Sequence, residues 1–213
     1  MFRKAGEVQG AVGFGNGLDV QGAVAVTNHI GLMGNYSYEN KHSDDNSANP
    51  YEDEYHYHKF LEGGLGYFEN HGKWCFEIFA GYGRGEGSSY DAYTFWGDQN
   101  VKATGKFDRV FIQPAFGMNK NIFHFSIVPR VSIVDFKEFS SDLSSLTVND
   151  KATVFFEPAF LGRVNLMDNH FFVGFQLGFS LPIESDVFYD YRPMQFSTGL
   201  GFRFGGIHEK SGE

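Results

Sequence analysis

A single cysteine, Cys75, stands in the chain, so no disulfide can form within it. It falls in a strand-like run and reads as a small buried residue. Apolar residues never run on for the roughly 18 positions that a membrane-spanning helix needs. Basic residues are scarce: 17 Lys and Arg against 26 Asp and Glu leave a net charge of −9, which removes the basic footprint of a nucleic-acid-binding protein. No nucleophile elbow, phosphate-binding glycine loop or zinc-protease helix occurs. Gly81-Tyr82-Gly83-Arg84-Gly85 follows a strand-like run, but no helix-forming segment comes after it. An enzyme is therefore not expected. The opening Met1-Phe2-Arg3-Lys4-Ala5-Gly6-Glu7 also lacks the apolar stretch of an export signal.

What is abundant points the other way. The chain holds 25 Phe, 27 Gly and 11 Tyr, with aromatics at 18%. Glycine is well above its usual share of about 7%. Phe and Tyr cover a broad apolar wall, while Gly keeps the opposite face narrow. Ten segments alternate in polarity and read as strands: 7–14, 18–27, 30–41, 57–69, 73–86, 106–118, 122–138, 151–166, 170–182 and 193–205. Along 122–134, Phe123, Phe125, Ile127, Pro129, Val131 and Ile133 share one face; His124, Ser126, Val128, Arg130 and Ser132 share the other. The last strand aligns Met194, Phe196, Thr198, Leu200, Phe202 and Phe204 against Gln195, Ser197, Gly199, Gly201 and Arg203.

Turn signals fall near 16–17, 28, 71, 120 and 168, and long connections cover 42–56, 87–105, 139–150 and 183–192. The four tight turns near 28, 71, 120 and 168 gather at one end, joined by both chain ends, and the long loops gather at the other with the short Gly15-Asn16-Gly17 as a fifth. The polar face is rich in Gly, Ala, Ser and Gln and poor in Lys, unlike a solvated surface. The expected fold is therefore an all-β, antiparallel up-and-down transmembrane barrel of about ten strands in a bacterial outer membrane, with both termini periplasmic. A soluble lipocalin-like barrel is the alternative. One domain spans 1–213, with strands within 7–205 and short tails at 1–6 and 206–213. Such a barrel must be exported, so a mature or trimmed chain is expected.

Aromatic girdles are expected from Phe68, Trp74, Phe123, Phe171 and Phe172 beside the tight turns, and from Tyr36, Tyr38, Tyr57, Tyr82, Phe136 and Tyr191 near the long loops. The alternation places Glu62, Glu77, Arg109, Arg130, Glu157, Arg163 and Arg203 in the lumen, with Gln113, Gln176 and Gln195. Lone buried charges are costly, so these are expected to pair across a largely filled bore. Pro114, Pro129 and Pro158 lie inside three neighbouring strands and cannot donate to a ladder, so bulges are expected there. Phe111–Gly117 and Phe155–Leu161 are similar stretches, each carrying one of these prolines.

No cofactor is expected. The weak metal candidates are the acidic run Glu52, Asp53 and Glu54 for a divalent cation, and His56 with His58, which share a strand face. A rim hydrolase of omptin type would need Asp135 and Asp190 to meet that histidine pair, and no omptin motif lies on the chain residue by residue.

With the strands placed, the chain resembles small outer-membrane β-barrel proteins of Bacteroidota. The resemblance covers roughly 4–205. It rests on Gly6–Ala11, on Asn28–Met33 with Asn35–Tyr38, on Phe79–Gly85 and on Phe196–Arg203. It implies an accessory barrel of a larger outer-membrane machine, often anchored by a lipidated Cys upstream of the first strand. No Cys lies there in this chain, and Ala5 stands where a charged residue is usual. The implied partners are outer-membrane lipids, lipopolysaccharide and other outer-membrane proteins. A narrow transport or ligand-binding barrel is the alternative function.

Overall fold

The computed structural model describes residues 1–43, 54–91, 101–120, 122–142, 152–183 and 193–205. Its strands are β1 (Val8–Phe14), β2 (Leu18–Ala25), β3 (Ile30–Ser43), β4 (Glu54–His71), β5 (Trp74–Asp91), β6 (Val101–Lys120), β7 (Phe123–Ser141), β8 (Thr153–Leu166), β9 (Phe171–Phe179), β10 (Leu181–Pro182) and β11 (Met194–Phe204). Strands β1 to β8 each pair antiparallel with the next, β1 pairs with β11, β11 with β9, and β9 with β8. The sheet closes on itself. β10 continues β9 in the same register against β8, so the wall has ten staves. β1 begins and β11 ends at the end of the barrel that carries the tight turns, since Val8 pairs with both Val24 and Phe204. In one of those turns Gly72 takes the left-handed conformation (φ 65°), which only glycine adopts freely.

The outer face is apolar over a limited height. Outward residues run from Trp74 to Tyr82 on β5, from Val110 to Met118 on β6 and from Phe123 to Ile133 on β7. These runs match the roughly 9–11 residues of a tilted membrane strand. Beyond them the same faces become charged: Arg84 pairs with Asp108 at 3.0 Å, Lys106 with Glu138 at 2.5 Å, and Lys137 with Asp135. Strands β4 to β7 therefore project past the apolar band. β1 and β2, with 7 and 8 residues, stop within it. The barrel has one tall wall and one low one.

Phe68, Phe136 and Phe172 do not join the girdles. Phe68 is fully buried inside, Phe136 packs inward on Phe107, and Phe172 lies under Arg163. Trp74, Phe123, Phe171 and Tyr82 do face outward. Tyr191 lies outside the described residues.

The three prolines produce no bulge. Among the described residues the one register shift in the wall falls between Lys106 and Phe107 instead. Pro129 pairs directly with Pro158, and the flanking pairs Ile112–Val131 and Phe116–Ile127 put Pro114 opposite Pro129. The prolines thus form a row across β6, β7 and β8. Pairing between β6 and β7 is missing only at this row, because Pro114 and Pro129 occupy a position where each should donate to the other. Pro158 directs its nitrogen toward β9, and there the β8–β9 ladder breaks between Gly178 and Leu181. A missing donor leaves the register intact; an inserted residue would have shifted it. The interruption that separates β10 from β9 has this cause.

Pro129→Val restores one donor to the carbonyl of Pro114. An unpaired wall carbonyl costs about 1–3 kcal/mol, more than the roughly 0.4–1 kcal/mol that proline contributes through the unfolded chain. The variant is expected to unfold at higher urea concentration in lipid vesicles. An unchanged or lower midpoint would contradict this account of the gap.

Candidate functional site in the barrel lumen

Strand parity turns Glu62, Glu77, Arg109, Arg130, Glu157, Arg163 and Arg203 inward, and the structure divides them into two groups. The first sits behind the proline row. Arg130 on β7 holds both oxygens of Glu62 on β4, one of them at 3.0 Å. Its Nε lies 3.5 Å from Glu157, which also binds Arg109. Gln113 accepts from Arg130 at 3.4 Å, and Asn35 donates to Glu62 at 2.7 Å. Arg130–Glu62 and Arg109–Glu157 join strands that are not neighbours in the sheet, so these two contacts cross the interior, while the others link adjacent strands. The Arg130 guanidinium lies 4.0 Å over Phe111, and that of Arg109 lies 5.4 Å over Phe60. Two acids and two bases balance here, which is what a low-dielectric interior requires.

The second group lies toward the tight turns. Arg203 pairs with Glu7 at 2.8 Å, with side-chain exposures of 2% and 0%. Glu77 accepts the backbone N–H of Phe2 at 2.5 Å, and Glu7 that of Arg3 at 2.9 Å. Gln9 donates to Glu7 at 2.6 Å and to the Met1 carbonyl at 3.0 Å; Arg203 donates to the same carbonyl. Residues 1–6 precede the first strand but do not trail free. Phe2 is 2% exposed and joins Ala25, Phe68, Phe79 and Phe111 in a cluster that seals the lumen at this end. Its ring centroid stands 5.2 Å from that of Phe68. Gly31 makes room for it, since a Cβ there would come within 2.6 Å of the Phe2 ring.

The bore is not filled throughout. Between the two groups and the low wall lies a cavity of about 240 Å³. Gln9, Gln21, Asn35, Gln113, Gln176 and Arg163 reach it, Phe2 forms part of its floor, and Gly13, Asp19 and Ser197 line its other end, by the β1–β2 hairpin. Gln195 shares the face of Ser197 but does not line the cavity.

Glu7 and Phe2 were not among the expected lumen residues. Glu7 has the parity of Gln9 and Gly13, so alternation carried one step further finds it. Phe2 precedes the first strand, where alternation has no meaning. Of the metal candidates, Glu52 and Asp53 lie outside the described residues, and Glu54 opens β4. His56 and His58 share the inward face with Glu62, and the His58 ring stacks on Phe60 and Phe107. Among the described residues no three His, Cys, Asp or Glu side chains form a metal-binding group. Asp135 binds Lys137 on the outer face, away from the histidines, and Asp190 lies outside the described residues. Cys75 is buried, with its Sγ 3.7 Å from the Gly117 carbonyl.

No protein-family model matches the chain, and no curated protein matches it in sequence. Among solved structures it is similar to the translocator domain of autotransporter NalP from Neisseria meningitidis. The TM-score is 0.52 at 12% identity, over 93% of this chain and 86% of that one. It is also matched to a loop L8 deletion mutant of OmpT, an outer membrane protein of Vibrio cholerae. That match has a TM-score of 0.34 at 10% identity, over 93% and 97% of the two chains, and nothing below rests on it. At such identities the likeness shows the fold. With the apolar band and inward charges, it defines the class: an integral outer-membrane β-barrel of ten strands.

Arg130→Met leaves Glu62 and Glu157 buried without their shared cation. A broken buried pair costs about 3–5 kcal/mol, so a clear drop in the urea midpoint is expected. Arg130→Met combined with Glu62→Gln should recover part of that loss. A single variant as stable as the parent would show that the group contributes nothing to folding.

Proposed function

We propose that this barrel is a non-conducting accessory subunit of a larger outer-membrane assembly, set with its tight turns and both termini in the periplasm. The observation that carries the reading is the closed lumen. Phe2, Phe68 and Phe79 seal one end, and ion pairs cross the bore beside them. A barrel sealed in this way has its wall left to work with. The part of β4 to β7 above the apolar band offers paired charges to a neighbouring protein, while the band itself meets lipid and, at its outer edge, lipopolysaccharide. The resemblance to small Bacteroidota barrels points to the same role. Neither an enzymatic role nor a cofactor belongs to the proposal. Any divalent cation at Glu52–Glu54 would be incidental to it.

Two measurements test this. Purification in mild detergent from native expression is expected to bring down a stoichiometric outer-membrane partner, and a monodisperse monomer would oppose the accessory role. In planar bilayers the full chain is expected to show no steady conductance, whereas removing residues 1–5 should produce channel openings. Steady conductance by the intact chain would overturn the closed lumen.

A further inference from the structure

One cation in the lumen has no counter-ion in contact. Arg163 on β8 is 9% exposed, yet among the described residues it makes no ion pair. Its Nη1 reaches Gln9 at 3.3 Å, and the guanidinium lies 5.1 Å from the Phe172 ring centroid. Nε and Nη2 are buried without any hydrogen-bond partner. The contrast with its neighbours is informative. Arg203, Arg109 and Arg130 each hold a carboxylate, whereas Arg163 holds none among the described residues.

Arg163 also lines the cavity. The amides of Gln9, Gln21, Asn35, Gln113 and Gln176 also line it, and an amide both donates and accepts. Beside Arg163 the wall carries glycine at corresponding positions of three strands: Gly174 pairs with Gly199, and Gly13 pairs with Gly199 on the other side. The bare wall keeps the space open. The floor is closed by Phe2, and the low wall of β1, β2 and β11 leaves the far end the shorter way out. Glu77 by the floor is taken up by the Phe2 amide, and Asp19 lies by the β1–β2 hairpin at the far end.

From this geometry we infer that the cavity is a binding site for a small hydroxylated carboxylate, held by Arg163 and oriented by the surrounding amides. A guanidinium without a counter-ion in contact, at the edge of the cavity, matches the charge of a carboxylate. The amide-rich wall matches hydroxyl groups, which donate and accept in the same way. The volume suits a solute of sugar-acid size: at about 30 Å³ per water it holds roughly eight waters. The site needs neither a partner subunit nor an open pore, so it stands apart from the accessory role.

The test is binding of glucuronate to the full-length barrel in detergent micelles, by titration calorimetry, with glucose as the uncharged control. Saturable binding of glucuronate is expected, with glucose weaker by about tenfold or more, as for loss of a charge-assisted contact. Arg163→Gln should abolish binding. Because that variant could also disturb folding, Gly174→Val supplies a second test. A Cβ at Gly174 meets nothing closer than 3.5 Å, so the side chain enters the cavity without a backbone clash. It should remove binding while leaving the urea midpoint unchanged. Absence of saturable binding overturns the proposal. So does equal binding of glucose, or glucuronate binding that survives in a folded Gly174→Val or Arg163→Gln barrel.

Discussion

The whole structure depends on one requirement: in hydrocarbon, every backbone donor and acceptor must find its partner within the protein. Closing the sheet through the β8–β9 pairing removes the free edges that an open sheet would expose to lipid. Against that requirement the proline row stands out. Three residues that cannot donate are placed side by side in the lipid-facing wall, and the ladder fails at the two places where their nitrogens point. The register does not move. Directly behind the row, on the inner face, Gln113, Arg130 and Glu157 are bound to one another, so contacts through the lumen tie together strands whose ladder is weakest.

The interior obeys the same logic in a different currency of interactions. Charges taken out of bulk water must be matched, and apart from Arg163 the described lumen arginines each meet a carboxylate. Glycines on the inner face of β5 let the rings of Phe60, Phe107 and Phe111 lie close to the backbone, which packs one side of the bore with aromatic surface. The opposite side, built from the short strands, is left with amides, glycines and space. The asymmetry between a tall packed wall and a low polar one is what converts a filled barrel into a cup.

Much of this was legible before any coordinates. Alternation along β7 and β11 told inner from outer residues almost position by position, because a strand has only two faces and a barrel assigns them opposite solvents. Turn chemistry at Gly72 and at Asp168-Asn169 marked strand ends. Alternation was less useful where aromatic residues serve both faces. Phe68 was placed in a girdle although it shares parity with Glu62, and so was Phe136, although it shares parity with Arg130 and pairs with Phe107 before the register shift. The prolines were visible, but whether a missing donor bends a strand or merely leaves a gap depends on which neighbour the nitrogen faces.

The sequence by itself determined the strands, their faces, the closed membrane barrel and the identity of the inward charges, since each follows from local periodicity and turn chemistry. Only the tertiary structure decided which charge meets which, that Phe2 folds back to seal one end, and that Arg163 is the cation left facing a cavity. Those outcomes depend on distances across the lumen between residues as far apart as Gln9 and Arg163, and periodicity carries no information about them.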